Sequence, residues 1–140
     1  MELAPELAEK IVAHARDAFP NECCGMIAGE GGRAVRVHPA TNAEGSPFMY
    51  VMEPKEQLEI MDAIDESGHD LLAIYHSHTR SAAYPSRTDV ELAFFPNTLY
   101  VIVSIADEGN PEIRAFRINR TKDPEEAITE EPVVVADATK

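Results

Sequence analysis

The chain has 140 residues, 12 of them basic and 25 acidic, for a formal net charge of −13. So acidic a surface repels phosphate backbones and anionic lipid, which argues against nucleic acid and membranes as partners. The length predicts one domain over residues 1–140 with a single core. No apolar run reaches a membrane span, and acids stand where a secretory signal needs bases, so a cytoplasmic protein is expected.

Leu3, Leu7, Ile11, Ala15 and Phe19 recur at four-residue spacing with Pro5 near the start, predicting an amphipathic helix that ends at Pro20. CGMIAG (24–29) follows as a buried strand. The turn EGG joins it to RAVRVHP (33–39), where Val35 and Val37 alternate with basic residues, so the pair forms a hairpin. Residues 40–47 read as loop and FMYVM (48–52) as a short strand. Pro54 opens a second helix with Leu58, Met61 and Ile64 on one face, and Gly68 closes it. DLLAIYHSH (70–78) is a buried strand, residues 79–85 are a loop, and Ser86 begins a short helix reaching about Phe95. LYVIVSI (99–105) is another core strand, ADEGNP a turn, and EIRAFRIN (112–119) an outer strand paired back onto it. The tail from Arg120 is polar and acid-rich, with VVV (133–135) as a last strand. The order α-β-β-β-α-β-α-β-β predicts an α/β fold, a mixed sheet flanked by helices.

HSHTRSAAYPSRTD (76–89) carries the chemistry, with His76, His78, Ser86 and Asp89 in the pattern H-x-H-x7-S-x2-D. Residues i and i+2 of a strand point to one face, about 6.5–7 Å apart, so both imidazoles can lean onto one metal ion. Asp89 returns from the first turn of the next helix. Two His and one carboxylate form a three-ligand set with a fourth position open, as in catalytic rather than structural zinc sites. Taken alone, Ser86 and Asp89 also read as a helix N-cap and a first-turn acid, worth about 1 kcal/mol and no chemistry. Ser86 is able to serve both purposes. The isolated His14, His38 and His69 read as structural or solvent-exposed. Cys23 and Cys24 are adjacent, which disfavours a disulfide between them, and two thiols fall short of an all-cysteine zinc site. Water activated by zinc still needs a base, and 25 carboxylates leave that base open; Glu22, just ahead of a strand, is one candidate.

PNECCGMIAG (20–29) and HSHTRSAAYPSRTD together resemble the JAMM (MPN-plus) zinc metallopeptidases, and the element order over about residues 1–119 fits that family. The resemblance implies a cytidine-deaminase-like fold in which His76, His78 and Asp89 bind Zn2+. It makes Glu22, in its P-x-E-x-C-G context, the base that deprotonates water, and Ser86 the residue that stabilises the oxyanion. No motif position is missing, which argues against the inactive, scaffold-type branch. YHSHT and AYPSRTD are further similar to the small bacterial branch, which cuts after the Gly-Gly tail of ubiquitin-like sulfur-carrier proteins. The implied function is amide hydrolysis after such a tail, releasing C-terminal cysteine in cysteine biosynthesis. An extended Gly-Gly tail has no side chains to clash in a narrow groove, and its backbone can pair with a sheet edge. Two alternatives stand beside this reading: an isopeptidase that removes a ubiquitin-like protein from lysine, and a non-catalytic zinc-containing module that binds β-grasp proteins. The acidic tail after Arg120 lies outside the resemblance.

Overall fold

Proline at the first helical position has no amide hydrogen to leave unsatisfied, and helix α1 of the computed structural model accordingly runs Pro5–Ala18. The structure describes residues 1–136. The helix stops two residues before Pro20, with Ile11 and Ala15 buried against the sheet and Leu7, Ala8 and Val12 packed beside them.

The predicted hairpin forms. Strands β2 (Cys24–Glu30) and β3 (Arg33–Ala40) pair antiparallel, and Gly31 and Gly32 between them take φ of +59° and +80°. Two successive positive φ values are what a type I′ turn demands, and glycine adopts them without steric cost. Strand β4 (Asp70–His78) pairs antiparallel with β2 on one side and parallel with β5 (Leu99–Ser104) on the other. Strand β6 (Glu112–Ile118) adds antiparallel to β5. With neighbours on both edges and side chains packed on both faces, β2, β4 and β5 read as continuous apolar runs rather than as alternations. An added Cβ at Gly25 would overlap the ring of Tyr75, its partner across the β2–β4 ladder, so that strand position has no room for a side chain.

Helix α2 spans Pro54–Glu66; the Glu53 carboxylate caps it by accepting from the amides of Lys55 and Glu56. Helix α3 is short, Arg87–Glu91. The two faces of the sheet carry two cores. On the α1 side lie Cys23, Ile27, Tyr75, Val101 and Val103. On the other lie Cys24, Met26, Ile74, Tyr100, Ile102 and Phe116, covered by Ile64 of α2 and Val90 of α3. This is the mixed α/β sheet flanked by helices that the sequence predicts.

Several boundaries differ. FMYVM is not a strand: its single ladder contact among the described residues is an isolated bridge between Asn42 and Met52. The helix after Ser86 ends at Glu91 rather than near Phe95. Strand β6 is not outermost, because after the short helix α4 (Pro124–Ala127) strand β7 (Ile128–Glu131) pairs outside it. Ion pairs from Arg114 to Glu130 (2.6 Å) and Arg117 to Glu131 (3.0 Å) run along that ladder. The VVV segment does yield a strand, β8 (Val134–Val135), but at the far edge, parallel to an unpredicted two-residue strand β1 (Glu2–Leu3). The full order is β7-β6-β5-β4-β2-β3-β1-β8. Among the described residues, no helix is long and apolar enough to cross a membrane.

Candidate metal centre

The geometry follows from strand parity and register. His76 and His78 end β4 on the same face, and Cys24 pairs with His76 across the β2–β4 ladder. Continuing that register past the start of β2 brings Glu22 to the level of His78, whose charge it feels. That continuation is fixed by the Ser77 amide donating to the Cys23 carbonyl (3.1 Å) and the Cys23 amide donating to Ser77 Oγ (2.8 Å). Residues opposed in an antiparallel pair share a face. Glu22 therefore faces the same side as both histidines, although 54 residues separate it from His76 in the chain.

Asp89 reaches the cluster from the third position of α3. Ser86 caps that helix: its Oγ accepts from the Asp89 amide (3.1 Å) while the Asp89 carboxylate accepts from the Ser86 amide (2.8 Å). The predicted cap is thus real, and it also aims the carboxylate. Asp89 Oδ1 stands 3.1 Å from His76 Nε2 and Oδ2 2.9 Å from His78 Nε2, with the two Nε2 atoms 3.2 Å apart. The three side chains are buried, and one donor atom from each falls within 4.8 Å of the others.

Lone pairs gathered this closely repel unless a proton or a cation lies among them. The second ring nitrogens matter here. His78 Nδ1 is 2.9 Å from the Ala82 carbonyl oxygen, so Nδ1 carries the hydrogen and Nε2 presents its lone pair to the cluster. Two imidazole nitrogens and one carboxylate, held by buried elements, make a donor set that suits zinc. Without a cation, a proton on Nε2 takes that place instead: burial alone would raise the Asp89 carboxyl, but hydrogen bonds from protonated His76 and His78 nitrogens overcome it and hold that carboxyl ionised, well below the usual range.

Glu22 is 4% exposed, and its Oε1 has no hydrogen-bond partner among the described residues. Burial pushes its carboxyl up to about 8; His78 nearby opposes the shift and the Asp89 charge adds to it. A raised carboxyl ionises in the unfolded chain near 4.5 but stays protonated in the folded one until about 8. The folded state then binds the extra proton, so stability falls as pH rises through that window. In metal-free protein we expect the melting temperature to drop from pH 5 to pH 8, with Glu22→Gln flattening that drop. Parallel pH profiles for the two proteins would place the buried proton elsewhere.

All five residues singled out in the sequence, Glu22, His76, His78, Ser86 and Asp89, lie at this one end of β4. Two contributors had no sequence signal. Tyr50 stacks on the His76 ring, with centroids 4.6 Å apart and planes 25° apart. Ser77, between the two histidines, ties β4 to the residue after Glu22. Of the remaining histidines, His14 Nδ1 bonds the hydroxyl of the fully buried Tyr75 (2.6 Å) and His69 Nδ1 bonds Ser67 Oγ (3.1 Å), both structural. Cys23 and Cys24 are free and buried, and burial pushes their thiols up to about 11 and 12.

Residues 4–119 match the family described as prokaryotic homologues of the JAB domain. The chain is 45% identical over 134 residues to the CysO-cysteine peptidase of Mycobacterium tuberculosis, spanning 94% of this chain and 88% of that protein. It is 37% identical over 111 residues to the desampylase of Haloferax volcanii, spanning 74% of this chain and 80% of that one. In fold it is similar to a JAB1/MPN domain protein from Archaeoglobus fulgidus, with a TM-score of 0.60 at 19% identity, covering 98% and 100% of the two chains.

Proposed function

This chain belongs to the prokaryotic JAB-domain family, and from that premise we propose that it is a zinc metallopeptidase. Its substrate, on this reading, is a ubiquitin-like sulfur-carrier protein, cut at the amide bond after a Gly-Gly tail with release of C-terminal cysteine. The observation that carries the proposal is the convergence of His76, His78 and Asp89 beside the buried, unpartnered carboxyl oxygen of Glu22. A structural metal site has no use for an orphaned base. The CysO-cysteine peptidase similarity over nearly the whole chain supports the choice of substrate.

His76, His78 and Asp89 would hold the zinc. When bound, it supplies Lewis acidity, which polarises the scissile carbonyl and acidifies water. Glu22 takes the proton of the attacking water at Oε1 and returns it to the leaving amine nitrogen. Its burial keeps bulk water from competing for that proton. With no hydrogen-bond partner on Oε1 among the described residues, the carboxylate has a free lone pair with which to accept and give one proton per turnover. Ser86 Oγ spends one lone pair on the Asp89 amide, which leaves its own O–H free to donate to the developing oxyanion. The reaction would complete cysteine synthesis on the carrier, in the cytoplasm, and free the tail for another cycle.

The test is mass spectrometry of a carrier–cysteine adduct incubated with the zinc-loaded protein. The expected product is the carrier lighter by one cysteine residue, with a chelator blocking its appearance. Cleavage of a lysine-linked conjugate with the adduct left intact would make the protein an isopeptidase. Bound zinc with no turnover on either substrate would make it a β-grasp-binding module. Ser86→Ala should leave zinc content unchanged, lower turnover ~10²-fold and cost about 1 kcal/mol of stability through the lost cap. Lower stability with full turnover would confine Ser86 to capping.

A further inference from the structure

Residues 41–53, between β3 and α2, are organised by one side chain. Asn42 Nδ2 donates to the carbonyl oxygens of Glu22 and Met49, each at 3.0 Å. Its Oδ1 accepts from the amides of Glu44 and Val51, each at 3.1 Å. A carboxamide has two hydrogens to give and two lone pairs to receive, so Asn42 is fully used. Every partner is main chain.

The two halves of that side chain do different things. The acceptor half makes an Asx turn, which aspartate makes equally well. The donor half is what the amide adds, and it reaches back 20 residues to Glu22. Glu22 is gripped at both main-chain groups by this loop: its amide donates to the Ser46 carbonyl at 2.8 Å and its carbonyl accepts from Asn42. The same loop carries Tyr50, stacked on His76.

We propose that Asn42 is a positioning residue: its side-chain amide fastens the Glu22 backbone to the 41–53 loop and so sets where the Glu22 carboxyl stands beside His76, His78 and Asp89. It touches neither metal ligands nor reacting atoms and acts through Glu22. The inference rests on the reading of Glu22 as the catalytic base. A side chain displaced by about 1 Å can cost ~10²-fold in rate while leaving substrate affinity alone.

The experiment compares zinc-loaded wild type, Asn42→Asp and Asn42→Ala by turnover of the carrier–cysteine adduct, zinc content and amide hydrogen exchange. In Asn42→Asp the acceptor half survives, so the Glu44 and Val51 amides should stay protected. The Glu22 amide, bonded to the Ser46 carbonyl, should exchange at least ~10-fold faster, because that bond opens more often once the Glu22 carbonyl is no longer held to the loop. In that variant kcat should fall ~10²-fold with KM and zinc content near wild type. Asn42→Ala should lose the Glu44 and Val51 protection as well. Wild-type kcat in a folded variant, or a raised KM with kcat unchanged, overturns the proposal. Lost β5 protection in both variants also overturns it, since Asn42 would then serve the fold at large. Should wild type itself leave the adduct intact, the peptidase reading fails, and Glu22 exchange alone decides on Asn42: unchanged exchange in both variants overturns its role.

Discussion

Glu22→Gln should retain a full complement of zinc and a native fold but lose turnover by on the order of 10³-fold, the range in which a positioned general base contributes. The amide is isosteric with a protonated carboxyl, and burial already holds Glu22 protonated up to about pH 8 in the metal-free protein. Glutamine therefore fits the pocket that exists. What it lacks is basicity: an amide oxygen does not take a proton from water near neutrality. Because Glu22 lies outside the three-ligand cluster, metal content separates its role from theirs. Turnover within about ten-fold of wild type would move the base to another residue.

Asp89→Ala has the second large effect, and on more than one property. The carboxylate faces two imidazoles at 3.1 and 2.9 Å and closes the α3 capping box at 2.8 Å. Its removal leaves a two-histidine site, so zinc should fall far below one per chain after dialysis. The loss of affinity should exceed the ~10–100-fold that follows removal of an outer hydrogen-bond partner of a metal ligand, and turnover should go with it. Stability of the metal-free protein should drop too, because two buried imidazoles lose the anion between them and the Ser86 amide loses its acceptor in the capping box, although the Ser86 Oγ cap itself survives. Asp89→Asn separates these effects: it keeps the side chain's shape and an acceptor oxygen for the cap, and should recover much of the stability without the zinc. Equal zinc in wild type and Asp89→Ala would remove Asp89 from the site.

The histidine pair was legible because its geometry is local. Two residues apart on a strand means one face, whatever the rest of the chain does. Ser86 and Asp89 were legible as a cap for the same reason. Glu22 was not: 25 acids satisfy the requirement for a base equally, and only resemblance singled it out. The fold set it apart physically, by placing it just beyond the Cys24–His76 pair, near His78, and by burying it to 4% exposure. Asn42 and Tyr50 left no mark because their partners, Glu22 and His76, lie 20 and 26 positions away.

By itself, then, the sequence determined what short-range periodicity can encode: helices α1 and α2, the β2–β3 hairpin with its glycine turn, the apolar runs of β4 and β5, and the H-x-H-x7-S-x2-D set. The tertiary structure decided the sheet edges. ITEE reads as acidic tail, yet it becomes β7 because the edge of β6 offers it a four-residue ladder and Ile128 packs on the core, with Arg114 and Arg117 of β6 pairing Glu130 and Glu131 along it. Val134 and Val135 become β8 at the opposite edge because the N-terminal strand β1 is there to pair with them. It decided as well that FMYVM would be a loop, since Asn42 takes up the main-chain groups of Met49 and Val51 that a ladder would have used. Each of these outcomes depends on hydrogen-bonding or charged partners supplied by distant segments, whose approach no local pattern records, whereas facing and capping are properties of the backbone that carries them.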